Sequence, residues 1–81
     1  MPSIPVRGWR LVVIPGDHEP RHVHARHGTA GASEAVFRLN SDGTVTLREA
    51  DRQLTRAQVR EAAELVTDHF RELEELWETY C

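Results

Sequence analysis

The chain has 81 residues, of which 28% are charged and 40% are hydrophobic, and its formal net charge at pH 7 is −3. This length predicts a single domain, residues 1–81, with a small core that a bound metal or a second subunit would stabilise. One cysteine excludes an internal disulfide and no apolar run reaches the roughly 20 residues of a membrane span, so we expect a cytoplasmic protein with no membrane partner.

Charge is distributed unevenly along the chain. Residues 1–60 hold nine arginines and six acids, whereas residues 61–81 hold one arginine and seven acids. All ten basic residues are arginines, whose planar guanidinium suits carboxylate and phosphate. We therefore expect that any bound nucleic acid contacts an arginine-bearing sheet face within residues 1–60. A basic protein partner would instead contact the acidic residues 61–81.

The first predicted strand covers residues 8–15, GWRLVVIP, where β-branched residues are frequent and glycine and proline mark the two ends. Both faces of this strand are partly apolar, which is typical of a central strand or of one that a partner covers. The loop PGDHEPR follows, and its turn residues and prolines predict a stiff connection in which Asp17 accepts hydrogen bonds from backbone amides.

Alternation predicts a second strand over residues 22–27, HVHARH. Val23 and Ala25 form its core side, which leaves His22 and His24 next to each other on the polar side. Four of the five histidines of the chain belong to this strand or to the loop before it.

Two further strands, residues 34–39 and 44–49, are predicted to form a hairpin around the turn sequence NSDG. Their inward residues are Ala35, Phe37, Leu39, Val45 and Leu47. With a C-terminal helix after them, the fold class is α+β: a four-stranded antiparallel meander with one long helix packed on one face, β-β-β-β-α.

The helix is predicted over residues 56–78, with a capping box formed by Thr55 and Gln58 and an apolar stripe behind it. Such a helix is about 34 Å long, whereas a strand of six residues spans about 20 Å. The helix therefore either kinks near residues 67–69 or overhangs the sheet. We expect the overhang, which would expose an apolar interface for a protein partner or a homodimer. This interface would consist of Leu73, Leu76, Trp77 and Tyr80.

The histidine cluster has three interpretations. In the first, His22 and His24 share a divalent transition metal such as zinc, with Asp17 or His18 as a third ligand. The chain has no fourth ligand at a fixed spacing, so this site would keep an open position.

The second interpretation is catalytic. His22 and His24 would act as base and acid, with Asp17 orienting one ring and Arg21 or Arg26 holding phosphate, as in a metal-free ribonuclease. In the third interpretation, the histidines only tie the loop to the sheet through hydrogen bonds. The sequence leaves open which of the three applies and whether the protein is an enzyme.

The segment DHEPRHVH resembles a family of small bacterial proteins, the domain of unknown function 4160 group, whose motif is D-H-x-P-P-H-[FV]-H. A hairpin and a C-terminal helix ending near L-x-x-x-W follow in that family; the matching residues here are Asp17, His18, Pro20, His22, Val23, His24, Leu73 and Trp77. Arg21 stands where the family usually has a second proline.

Such proteins are often encoded beside another small protein and are sometimes linked to toxin–antitoxin-like gene pairs. The resemblance therefore implies a component of a two-gene toxin–antitoxin-like system that acts in a complex. The alternative is a nuclease-like toxin or a metal-binding module that uses His22 and His24.

Overall fold

The computed structural model describes residues 2–28 and 33–81. Within these ranges five strands precede two helices: β1 (Ser3–Val6), β2 (Trp9–Val12), β3 (His22–His27), β4 (Ser33–Leu39), β5 (Val45–Ala50), α1 (Arg56–Asp68) and α2 (Phe70–Tyr80). The strands form one antiparallel sheet in chain order, β1-β2-β3-β4-β5. The α+β class and the antiparallel meander are therefore confirmed, but the sheet has five strands where four were predicted, and two helices stand in place of one long helix.

The additional strand, β1, pairs with β2 through a two-residue turn at Arg7 and Gly8. Both residues have positive φ values, 48° and 79°, as the turns that suit the twist of a hairpin require. Pro5 lies inside β1 and weakens its strand pattern. Because β1 is at the edge of the sheet, a residue without a backbone N–H is tolerated there.

The core lies between one face of the sheet and the two helices. The predicted inward residues of β3 and β4 are buried there together with residues of β2, α1 and α2. Leu47 is an exception, since it is 46% exposed although its cross-strand partner Phe37 is buried. Its strand, β5, is the second edge of the sheet, and α1 leaves this part of the edge uncovered.

The predicted capping box is confirmed. Thr55 Oγ1 accepts a hydrogen bond from the Gln58 backbone N–H at 3.1 Å, and Gln58 Oε1 accepts one from the Thr55 backbone N–H at 2.8 Å. These bonds satisfy two of the free amides at the start of α1. Neither α1 nor α2 has the length and apolar character needed to cross a bilayer.

The expected overhang is wrong, because the helix breaks at His69 and α2 turns back onto the core. His69 leaves helical geometry at φ −106° and ψ 20°, and its Nδ1 lies 2.9 Å from the carbonyl oxygen of Leu65. The redirected α2 buries Leu73 and Trp77, so these two residues are not available for an interface. Leu76 is half-buried, and only Tyr80 of the predicted interface is well exposed.

Hydrogen bonds to the Asp42 carboxylate hold the turn between β4 and β5, and the titration of Asp42 tests them. Asp42 Oδ1 accepts from the Thr44 hydroxyl at 2.6 Å and from the Thr44 backbone N–H at 3.0 Å, which lowers the pKa of Asp42 below its ordinary value of 3.8. We expect the Asp42 carboxyl resonance in NMR to titrate below pH 3.8, and Thr44→Val to move its midpoint up because the hydroxyl donor is lost. Equal midpoints in the two proteins would contradict these bonds.

Candidate metal site

Asp17 is positioned by the loop between β2 and β3. The backbone N–H of Asp17 donates to the carbonyl oxygen of Ile14 at 3.2 Å, which closes a tight turn. Gly16 has a φ of 81° in this turn, a conformation that glycine adopts without strain, and its N–H donates to the carbonyl oxygen of Tyr80 at 3.0 Å. The loop is thus fixed both internally and to the end of α2.

The two histidines are positioned by β3. His22 and His24 alternate with the buried residues Val23 and Ala25, so their side chains leave β3 on the same side of the strand. Their ring centroids are 5.3 Å apart. The predicted side-by-side placement of the two imidazoles is therefore observed.

Asp17, His22 and His24 converge on one point. His22 Nε2 lies 2.9 Å from Asp17 Oδ2, and His24 Nε2 lies 3.4 Å from the same oxygen. One potential ligand atom from each residue lies within 4.8 Å of the other two. Ligand atoms bound to one zinc ion at about 2.0–2.1 Å lie about 2.9–3.4 Å apart when the angles at the metal are about 90–109°. Both measured distances are compatible with a shared ion.

When both rings are neutral, hydrogen bonding alone leaves these imidazoles poorly satisfied. His22 faces two acceptors, Pro20 O at 2.8 Å from Nδ1 and Asp17 at Nε2. His24 Nδ1 is buried 3.3 Å from Glu34 Oε2 but forms no well-shaped hydrogen bond with any described residue. A neutral imidazole has one N–H and cannot donate from both nitrogens. A cation held by the two Nε2 atoms would leave each Nδ1–H to donate outward.

Glu34 lies behind His24 and was missed by the sequence analysis. Its Oε1 accepts a hydrogen bond from Arg26 Nε at 2.9 Å, and its backbone N–H donates to Asp51 Oδ2 at 2.8 Å. Partial burial raises the pKa of Glu34, but the Arg26 hydrogen bond and the His24 imidazole lower it by more, so the pKa lies below the ordinary 4.5. Glu34 is therefore an ionised acceptor suited to orient the His24 ring.

A family model described as a domain of unknown function, DUF4160, matches residues 8–78 of the chain. The chain belongs to the DUF4160 family. The match extends from β2 into α2 and includes Asp17, His22, His24 and Glu34. No curated protein and no solved structure matches the chain.

The fourth predicted ligand, His18, does not join the site of this DUF4160 protein. His18 is exposed, and the converging group consists of Asp17, His22 and His24 among the residues that the structure describes. The sequence left open whether Asp17 or His18 is the third ligand, and of these two residues it is Asp17 that lies beside His22 and His24.

The two arginines predicted to hold phosphate are both paired with carboxylates. Arg21 Nη1 lies 2.9 Å from Glu74 Oε2 and Arg21 Nη2 lies 3.2 Å from Glu78 Oε1, so that Arg21 fastens the loop to α2. Arg26 is paired with Glu34. The positive charge of each guanidinium is thus at least partly neutralised by the neighbouring glutamates.

The sheet face that carries arginines also carries acids. The register places Arg10, Arg26 and Glu34 in one row across the strands, and Glu49 opposite Val36. Arg48 is the extra residue of a bulge between β4 and β5. This face is therefore mixed in charge, and nucleic-acid binding on it stays a prediction.

Proposed function

We propose that this DUF4160 protein is a metal-binding module in which Asp17, His22 and His24 hold one divalent transition-metal ion, with zinc as the first candidate. The observation that carries the proposal is the convergence of two imidazole Nε2 atoms on a single carboxylate oxygen, at 2.9 and 3.4 Å. Imidazole and carboxylate are common zinc ligands, and the combination of two histidines with one carboxylate also suits iron(II).

The number of ligands favours a reactive site over a purely structural one. Structural zinc sites usually have four protein ligands, whereas catalytic sites have three and leave a position for water or substrate. The side chains of His22, His24 and Asp17 are 11%, 16% and 27% exposed, so the group is recessed but reachable from solvent. A bound ion would supply Lewis-acid chemistry, including a more acidic bound water.

The surroundings of the site favour metal binding over the two other interpretations. If hydrogen bonds alone fastened the loop, each neutral imidazole would have to donate from Nε2 to Asp17 and also satisfy its Nδ1, yet a neutral ring carries one N–H and His24 Nδ1 lacks a good partner among the described residues. A metal-free ribonuclease needs a phosphate-holding cation, whereas Arg21 and Arg26 are engaged with glutamates.

Metal content tests the proposal. Protein purified without an affinity tag and dialysed against zinc is expected to hold one ion per chain by elemental analysis. In calorimetric titration, His22→Ala and His24→Ala should each weaken zinc binding by more than about 100-fold, since even the loss of a group that only supports a ligand costs about 10–100-fold. His18→Ala is the matched control and should bind zinc as the unmodified protein does. Equal affinities in all four proteins would reject the site.

Glu34→Gln tests the support behind His24. The amide keeps the shape of the side chain but is a weaker acceptor for His24 Nδ1–H, so we expect zinc binding to weaken by about 10–100-fold. Glu49→Gln removes a carboxylate from the same sheet face at a residue that makes no ion pair with His24 within the described ranges, and it should leave the affinity unchanged. Similar losses in both variants would indicate a general charge effect.

We also propose that the protein acts in a complex as part of a two-gene toxin–antitoxin-like system. The family likeness and the acidic residues 61–81, which suit a basic partner, support this setting. A nuclease-like role is the alternative within the same setting, and cleavage of RNA or DNA by the protein but not by a His22→Ala/His24→Ala variant is its test.

A further inference from the structure

An apolar groove runs between α1 and the edge strand β5, with a volume of about 440 Å³. Its wall includes Leu47, one of the two exposed large hydrophobic residues found among the described residues. Two cations, Arg56 and Arg60, lie on its rim, and neither forms an ion pair within 4.0 Å with any residue that the structure describes. The apolar lining consists of Phe37, Val45, Leu47, Leu54, Val59 and Ala63.

The other exposed large hydrophobic residue, Tyr80, is 48% exposed and belongs to a surface of opposite charge. This acidic face lies between β1 and α2, where Ile4, Leu76 and Tyr80 provide apolar area and Glu72 and Glu75 provide charge. No base lines the acidic face and no acid lines the groove, as far as the described residues show. The two surfaces are therefore complementary in both charge and apolar character.

The two surfaces cannot meet within one chain. The groove is at β5 and the acidic face is at β1, and these strands are the opposite edges of a five-stranded sheet. At about 4.8 Å between neighbouring strands, the two edges are about 19 Å apart. Contact between the surfaces requires two molecules.

We propose that the groove is a docking site for the acidic face of a second copy of this chain. Tyr80 of one molecule enters the groove of the next, and Glu72 and Glu75 lie near Arg56 and Arg60. Burial of Tyr80 and Leu47 supplies the apolar contribution, and the charges set the orientation. The contact is heterologous, so that each molecule has one free groove and one free acidic face after a single contact.

The geometry determines how the protein associates. A heterologous contact forms rings when the rotation between copies closes and open chains when it does not. Each surface is small compared with the about 800 Å² per partner of a standard interface, so the association is weak and depends on protein concentration. The opposite charges make it weaker at high salt, where the Debye length falls to about 3 Å at 1 M.

Light scattering over a concentration series is the first measurement. The average mass is expected to rise with concentration at low salt, to exceed that of a dimer, and to fall towards the monomer mass in 1 M sodium chloride. A strictly monomeric protein at all concentrations would overturn the proposal. A mass that stops at the dimer would overturn the heterologous geometry, because an isologous pair saturates at two copies.

Two charge-reversal variants at exposed helix positions test the groove and the acidic face separately. Arg60→Glu disables the groove but keeps the acidic face, and Glu75→Arg disables the acidic face but keeps the groove. Each variant alone is expected to stay monomeric with an unchanged circular dichroism spectrum. An equimolar mixture is expected to associate again, because it holds one intact groove with one intact acidic face, and the exchanged charges at positions 60 and 75 also attract each other. Association of either variant alone, or failure of the mixture to associate, would overturn the assignment of the surfaces.

Discussion

Zinc at 100 times its dissociation constant is expected to raise the melting temperature of the protein by about 10–20 °C. A ligand that binds only the folded state adds about 2.7 kcal/mol at this concentration. In a domain of 60–100 residues, each kcal/mol shifts the melting temperature by about 4–8 °C. The folded state brings together Asp17 in a loop and His22 and His24 in β3, and the unfolded chain does not hold these residues in place.

Differential scanning fluorimetry with and without zinc measures this shift, and a chelator should reverse it. His18→Ala keeps all three proposed ligands and should show the full shift. The double variant His22→Ala/His24→Ala should show almost none. A shift of the same size in the double variant would mean that zinc stabilises the fold from another position.

Trp77→Ala is expected to lower the free energy of unfolding by about 3–5 kcal/mol, the usual cost of deleting a large buried aromatic side chain. Trp77 is buried against the core, and its ring centroid lies 5.3 Å from that of His22. Because the free energy of unfolding of a typical domain is only about 5–15 kcal/mol, this loss would remove much of the stability of the protein. The same substitution removes a contact of a proposed metal ligand, so zinc binding should weaken as well.

Leu73→Ala separates these two effects of Trp77. Leu73 is buried in the same helix, and its truncation should cost about 2–5 kcal/mol. It keeps the ring contact between Trp77 and His22, so zinc affinity measured well below the melting temperature should stay near that of the unmodified protein. Urea unfolding measures both stabilities. If Trp77→Ala left the free energy of unfolding unchanged, this would contradict the burial of α2 and agree with an exposed helix end instead.

Most of the fold follows from local sequence patterns. Alternation in HVHARH and the turn residues in NSDG predicted strands that the structure contains, and Thr55 and Gln58 form the predicted cap. The strand β1 escaped prediction because Pro5 interrupts its pattern, and its pairing depends on a turn with positive φ at Arg7.

The direction of α2 could not be read from helical periodicity. No proline or glycine marks the break at His69, so the length of the predicted helix indicated a kink near residues 67–69 only as the alternative to an overhang. The break is favourable because it lets Leu73 and Trp77 reach the core, and Arg21 then pairs with Glu74. These are tertiary contacts between residues that are far apart in sequence.

The proposed site was predictable only in part. The placement of His22 and His24 on one face follows from their spacing on a strand. The selection of Asp17 instead of its neighbour His18 depends on the turn closed by the Asp17–Ile14 hydrogen bond, which spacing does not determine. Glu34 could have been suggested only from the register of β3 and β4, where it lies opposite Arg26.

Anomalous diffraction at the zinc absorption edge, from crystals grown with equimolar zinc, tests the central claim most directly. One peak is predicted, about 2.0–2.2 Å from Asp17 Oδ2, His22 Nε2 and His24 Nε2. A peak bound by other residues, or no peak near these three atoms in protein that contains zinc, would contradict the proposed metal site.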